Sequence, residues 1–321
     1  MTLAVALLIG TLLVLWLAPA TLVMGLRHRV EPRAVLTAWL VLVASTFLTL
    51  VAAVTVSLLP GHGPARRIVA LLQHCWSALR HGDVPSLDAV AGLAGVVLLT
   101  FSTVRVVLAG CRRVQAQCCL HRRHVDLLRG IAQVEPGRYP LLWLEHPEPL
   151  AYSVAGAGSS RCLIVATRGL VDRLDRRDVT AVLDHERAHL QGHHHLLVGL
   201  ADALAAALPR LPMMRLSPDL VRTFVELAAD RVSARANGTA AVRGALLALS
   251  TAGGPSGSLA MGRDAVSVRL RWLEHSRPSG RVRTAAAAAV AGLTAGLAPT
   301  LLGVALIAAA GLATCATTAL G

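Results

Sequence analysis

Polar and apolar residues are distributed along this chain on two length scales, and the change of scale marks its plan. Residues 2–26 and 34–61 contain no Asp, Glu, Lys or Arg, so each exceeds the roughly 20 residues needed to cross a hydrocarbon core. A third apolar run, Leu87 to Gly110, is interrupted by Asp88 near its start and Arg105 near its end, where a long side chain can snorkel to the headgroups. After Arg283 no charged residue appears again, and Ala, Gly and Leu dominate. The pattern predicts an α+β membrane protein with four transmembrane helices. Three are N-terminal, over about 2–26, 34–60 and 87–110, and one is C-terminal, within 284–321. A polar unit, 111–283, is inserted between the third and the fourth.

Inside that unit the periods shorten. Residues 114–133 read as helix. Leu141–Leu144 and Leu150–Val154 read as short strands bounded by Pro140, Pro147 and Pro149, Gly156 to Ser160 as a turn, and Arg161–Ala166 as a returning strand. Asp175 to Asp178 then precede an apolar-periodic run, Val179, Val182 and Leu183, which predicts a helix from near Arg177. The expectation is one mainly helical domain of ordinary size with a small β-sheet.

Composition agrees with a membrane location: 55% of residues are hydrophobic, 15% are charged, and the mean hydropathy is +0.60, far from a soluble profile. The net charge of +13 raises the alternative of a phosphate-binding surface. The arginines, however, cluster beside the apolar runs, and 3% aromatic residues provide too few stacking platforms, so no direct nucleic-acid partner is expected. Arg27, Arg29 and Arg33 follow the first run, Arg112, Arg113, Arg122, Arg123 and Arg129 follow the third, and Arg277, Arg281 and Arg283 precede the fourth. Loops rich in arginine stay in the cytoplasm. Both termini are therefore expected outside a bacterial plasma membrane and residues 111–283 inside. The first run lacks the preceding positive charge of a cleaved signal and reads as an anchor. The cysteines form no CxxC pair and suit free thiols in a reducing compartment.

The chemistry is concentrated at His185-Glu186-Arg187-Ala188-His189, an HExxH string. On a helix, side chains at i and i+4 share a face, so His185 and His189 can reach one metal while Glu186, about 100° around, can hold a water. Thirteen histidines make accident conceivable, but roughly 0.01 such strings are expected by chance at this composition. A catalytic zinc needs a third protein ligand and an open position. The helical segment Val225–Arg231 contains Glu226 and Asp230 as an ExxxD, Glu226 standing 37 residues beyond His189.

That arrangement resembles the Glu-liganded zinc peptidases. The resemblance implies that Glu226 is the third ligand and that Asp230 accepts a hydrogen bond from a ligating imidazole. The stretch 195–213 is apolar enough for a fifth span, yet a single crossing there would put a bilayer between Glu226 and the histidines. It is expected to lie against the membrane, interfacial or packed on protein, broken near Pro209 and Pro212. His193, His194 and His195 read as a polar helix end, since a fourth protein ligand would block the water position.

More closely, Pro149, Ala166–Leu170, Ala181–Leu190 and Glu226–Asp230 resemble the BlaR/MecR-type integral membrane zinc peptidases over about 140–235, and the order of three spans, protease domain and one span extends the likeness. The resemblance implies one zinc per chain held by His185, His189 and Glu226, with Glu186 as general base for peptide hydrolysis. It also implies a protein or peptide substrate, with loss of a cytoplasmic transcriptional repressor as the outcome of signalling. Arg269 is the candidate oxyanion donor, and Leu150, Ala151, Tyr152, Ser153 and Val154 form the candidate substrate-binding edge strand. Well-known members carry a penicillin-binding sensor after the last span. None is visible here, so a stimulus is expected to act on Gly61 to Ser86, on the spans, or through a separate sensor partner or homo-oligomer. Two rivals remain: an HtpX-like or CAAX-prenyl quality-control protease, which shares both motifs, and a non-catalytic membrane scaffold or sensor with a structural metal site. An intramembrane site-2 protease is disfavoured by the charge of the zinc helix.

Overall fold

The computed structural model describes residues 3–27, 30–58, 87–130, 132–156, 162–251, 259–275, 286–287, 289–299, 301–302 and 305. The expected loop Gly61 to Ser86, nearly all of the turn before Cys162, the arginines at 277, 281 and 283, and most of 300–321 lie outside the described residues. Helix α1 runs over Leu3–Arg27, α2 over Pro32–Leu58 and α3 over Leu87–Arg129. Each contains a window long and apolar enough to cross a membrane: Leu7–Gly25, Pro32–Thr55 and Leu93–Ala116. Their exposed faces carry Trp16, Leu17, Leu48, Val97 and Phe101. The helix expected over 114–133 is the polar continuation of α3. Toward the C-terminus the described helix α10, Ala289–Pro299, packs on α2, where a Cβ on Gly296 would stand 3.2 Å from Val41.

The sheet has the order β1-β2-β4-β3, with β1 Gln133–Glu135, β2 Leu141–Leu144, β3 Ala151–Val154 and β4 Leu163–Thr167. The β2/β4 pair is parallel and the other two pairs antiparallel. Strand β4 is buried throughout because both faces are covered. Ile164 and Ala166 pack with Leu170, Val182 and Leu183, while Leu163 and Val165 pack with Leu128 and Leu142. This leaves β3 at the edge. The chain leaves β4 through α4, Arg168–Arg173, at a glycine that closeness dictates: a Cβ on Gly169 would lie 2.1 Å from the Pro147 carbonyl oxygen.

Helix α5, Arg176–Gln191, follows, then α6, His194–Ala207, α7, Pro212–Asn237, α8, Thr239–Thr251, and α9, Leu259–His275. Helices α6 and α7 are joined by a short turn containing Pro209, with Pro212 in the first turn of α7, where its missing N–H costs nothing. The 195–213 stretch is thus one arm and the tip of a hairpin packed on protein. Its tip reaches the apolar window of α3, where Arg105 donates to the Ala206 carbonyl (3.2 Å) and Arg113 pairs with Asp202. The returning arm is tied to α2 by the Trp39 indole donating to Ser217 (2.8 Å) and to the α1–α2 connection by Arg231–Glu31 (2.6 Å). A single apolar cluster consequently runs from Leu15, Leu22 and Trp39 to Phe224, Leu227 and Trp272.

Candidate metal and active site

Helix α5 presents His185 and His189 from successive turns, and α7 presents Glu226 against them. His185 Nε2 lies 3.1 Å from His189 Nε2 and 3.3 Å from Glu226 Oε2, and His189 Nε2 lies 3.4 Å from Glu226 Oε1. Two imidazoles and a carboxylate suit zinc, and the spacing can be tested: ligand atoms about 2.0–2.1 Å from a tetrahedral ion stand about 3.3 Å apart. The three donors fit that edge length. They also form the one cluster of possible metal-holding side chains found among the described residues.

Asp230, fully buried, brings Oδ1 to 3.0 Å from His185 Nδ1. The ring N–H is not in line with that oxygen, so the contact is a charge pair rather than a straight hydrogen bond. Arg269 closes the back of the site. Its Nε and Nη2 donate to the two oxygens of Asp230 (2.7 and 2.6 Å), and its Nη1 lies 3.1 Å from Glu226 Oε2. The candidate oxyanion donor therefore has its nitrogens directed at two carboxylates, one of them in the candidate donor cluster. Burial sets much of the electrostatics. It pushes His185 down, but Asp230 and Glu226 outweigh it and leave His185 raised to about 9. His189 is lowered to about 4 by burial, which the charge of Glu226 only partly opposes. Burial also raises Glu226, yet contact with His185 and the charges of His185 and Arg269 bring it down to about 2. Burial raises Glu186, partly offset by the charge of His185 and by hydrogen bonds from the Ser153 hydroxyl and backbone.

The candidate edge strand lies alongside. Ala151, Tyr152 and Ser153 line a cleft of about 450 Å³ together with His185, Glu186 and Arg269. A further hollow extends past His189 and Glu226 to Ser153, Ala155 and Arg222. Leu150 precedes the strand, and its N–H donates to Thr167 Oγ1 (2.9 Å). The backbone bond from Thr167 N–H to the Leu150 carbonyl fixes the alternation of the β3/β4 ladder, so the N–H and C=O groups of Ala151 and Ser153 face the open edge. Two participants escaped sequence reasoning. Ser153 was a strand residue with no link to Glu186. His194 was placed at a polar helix end; the structure puts it there and turns its ring inward, against His189.

Residues 117–252, less than half of the chain, match the model of Peptidase family M48. Proteins named Protease HtpX homolog are similar to this chain. Those of two Streptococcus thermophilus strains are 26% identical over 130 residues, 40% of this chain and 43% of theirs. That of Aquifex aeolicus is 30% identical over 95 residues, 30% of each. The chain thus spans less than half the length of these relatives. No solved structure matches it.

Proposed function

We propose that this protein is a zinc-dependent integral membrane endopeptidase that hydrolyses peptide bonds of a protein substrate on the cytoplasmic side. The observation that carries the reading is the convergence of His185 Nε2, His189 Nε2 and the Glu226 carboxylate at the edge spacing of a tetrahedral zinc site, with Glu186 on the same helix and an open strand edge beside it. His185, His189 and Glu226 would hold one zinc. When bound, zinc supplies Lewis-acid polarisation of the scissile carbonyl and lowers the pKa of water.

The chain's own residues do the rest. The Glu186 carboxylate takes a proton from the attacking water and delivers it to the departing amine nitrogen as the C–N bond breaks. Ser153 steadies that carboxylate by donating to it. The outward N–H and C=O of Ala151, with the Ser153 C=O, grip an extended substrate by its main chain, whatever its sequence. Arg269 and Asp230 hold Glu226 and His185 in place, so we assign Arg269 to positioning rather than to an oxyanion.

Two settings for this activity are distinguished by their products. Three spans before the protease unit and the Ala166–Leu170 and Ala181–Leu190 strings support BlaR/MecR-type signalling ending in repressor loss. Likeness to HtpX homologues supports turnover of damaged membrane proteins. Comparison of new amino termini across the proteome, wild type against Glu186→Ala, yields one or few sites in the first case and many in the second. For the chemistry itself, His185→Ala and Glu226→Ala are expected to abolish zinc retention, whereas Glu186→Ala keeps the metal and loses cleavage. Undiminished zinc in both ligand variants would refute the site, and a Glu186→Ala variant with every phenotype intact would favour the scaffold.

A further inference from the structure

The turn that ends α5 is built around a second imidazole. His194 follows His189 by five residues, which on an unbroken helix would place it about 140° around the axis. The chain breaks instead. Gly192 caps α5 by donating to the Ala188 carbonyl (2.9 Å), His193 adopts a left-handed φ of 50°, and α6 starts at His194. His193 is the one non-glycine residue with positive φ among the described residues, a conformation that a residue with a Cβ adopts only at a cost. Gly192 is bare for a visible reason: a Cβ there would stand 2.4 Å from His194 Nε2. Both features bring the His194 ring, 8% exposed, edge-on to His189. The centroids are 4.9 Å apart at 89°, and the two Nδ1 atoms are 3.0 Å apart.

The contact is on the far side of His189 from the donor cluster. His189 Nε2 faces His185 and Glu226, and Nδ1 faces His194. A ligand must offer a lone pair at Nε2, so His189 carries its hydrogen on Nδ1, and that N–H can only donate to His194 Nδ1. His194 then carries its own hydrogen on Nε2. We propose that His194 is the positioning residue for His189, fixing its tautomer and ring plane. This rests on the zinc reading of the same site. It also explains why a third histidine so near the cluster is not a ligand: its nearest ring nitrogen addresses the wrong side of His189 to share the ion.

Zinc affinity of the full chain in detergent, measured by competition with a chelating dye, tests this without relying on turnover. His194→Ala is expected to weaken zinc binding 10–100-fold, as loss of an outer partner does elsewhere. An asparagine places its carbonyl oxygen where Nδ1 was and a glutamine where Nε2 was, so His194→Asn recovers most of the affinity and His194→Gln does not. Gly192→Ala, which evicts the ring, reproduces the loss and adds nothing to His194→Ala. A space-filling role would leave Asn and Gln equivalent, and that equality overturns the proposal even if the alanine variant misfolds, as does wild-type affinity in His194→Ala. Wild-type protein that binds no zinc would instead remove the metallopeptidase reading itself.

Discussion

Single residues set the charge state of the candidate donors. In the metal-free protein at pH 7, His185, raised to about 9, holds a proton, while His189, lowered to about 4, and Glu226, at about 2, do not. The raised value stabilises the metal-free fold below the ordinary 6.5 of His185, and that contribution is lost as pH climbs through about 9. Zinc held as proposed would displace this proton, so uptake at pH 7 is expected to release about one proton, and apparent affinity to rise with pH until about 9. Calorimetry in buffers of different ionisation heat reads the number released; a value of zero would show that Asp230 and Glu226 do not hold His185 charged.

At the scale of elements, edge strand β3 carries the proposed grip on an extended substrate. Its ladder with β4 uses Leu150 and Tyr152, leaving Ala151 to face outward. Proline at 151 removes an outward donor while sparing the ladder, a placement edge strands tolerate. Ala151→Pro is expected to raise KM by about 2- to 10-fold, the worth of one hydrogen bond, with kcat and thermal stability little changed. Tyr152→Pro should break the sheet. Equal loss of stability in both variants would show that the register argument is wrong.

At the scale of the whole molecule, one apolar cluster among the described residues is shared by the N-terminal apolar helices and the helix that carries Glu226. Glu226 lies on α7 between Arg222, paired with Asp202 (2.7 Å), and Arg231, paired with Glu31 (2.6 Å). The helix that carries the candidate third donor is thus fixed at the end of the apolar helices marked by the α1–α2 connection. A fragment comprising 111–283 alone would expose Val221, Phe224 and Leu227, which pack in the cluster containing Leu15, Leu22 and Trp39. Such a surface drives association. Size-exclusion chromatography without detergent is expected to show the fragment aggregated; a monodisperse, zinc-binding fragment would show that the spans are dispensable to the fold.

Local periodicity determined much of this protein by itself. Charge-free runs mark the long helices because lipid demands about 20 apolar residues, and the i, i+4 spacing of His185 with His189, and of Glu226 with Asp230, puts each pair on one helix face. The parallel pairing of β2 with β4 was beyond reach, since period-2 alternation identifies strands but not neighbours. Pro209, Pro212 and the need to keep Glu226 beside the histidines foretold a break in 195–213, but tertiary structure decided that α6 and α7 fold back there as a hairpin, because that depends on packing against α2 and α3 rather than on any local preference. It also decided that Arg269 turns to Asp230 and that His194 backs His189. These are contacts across breaks in helical geometry, at a left-handed residue and between segments 39 residues apart, where no period survives to be read.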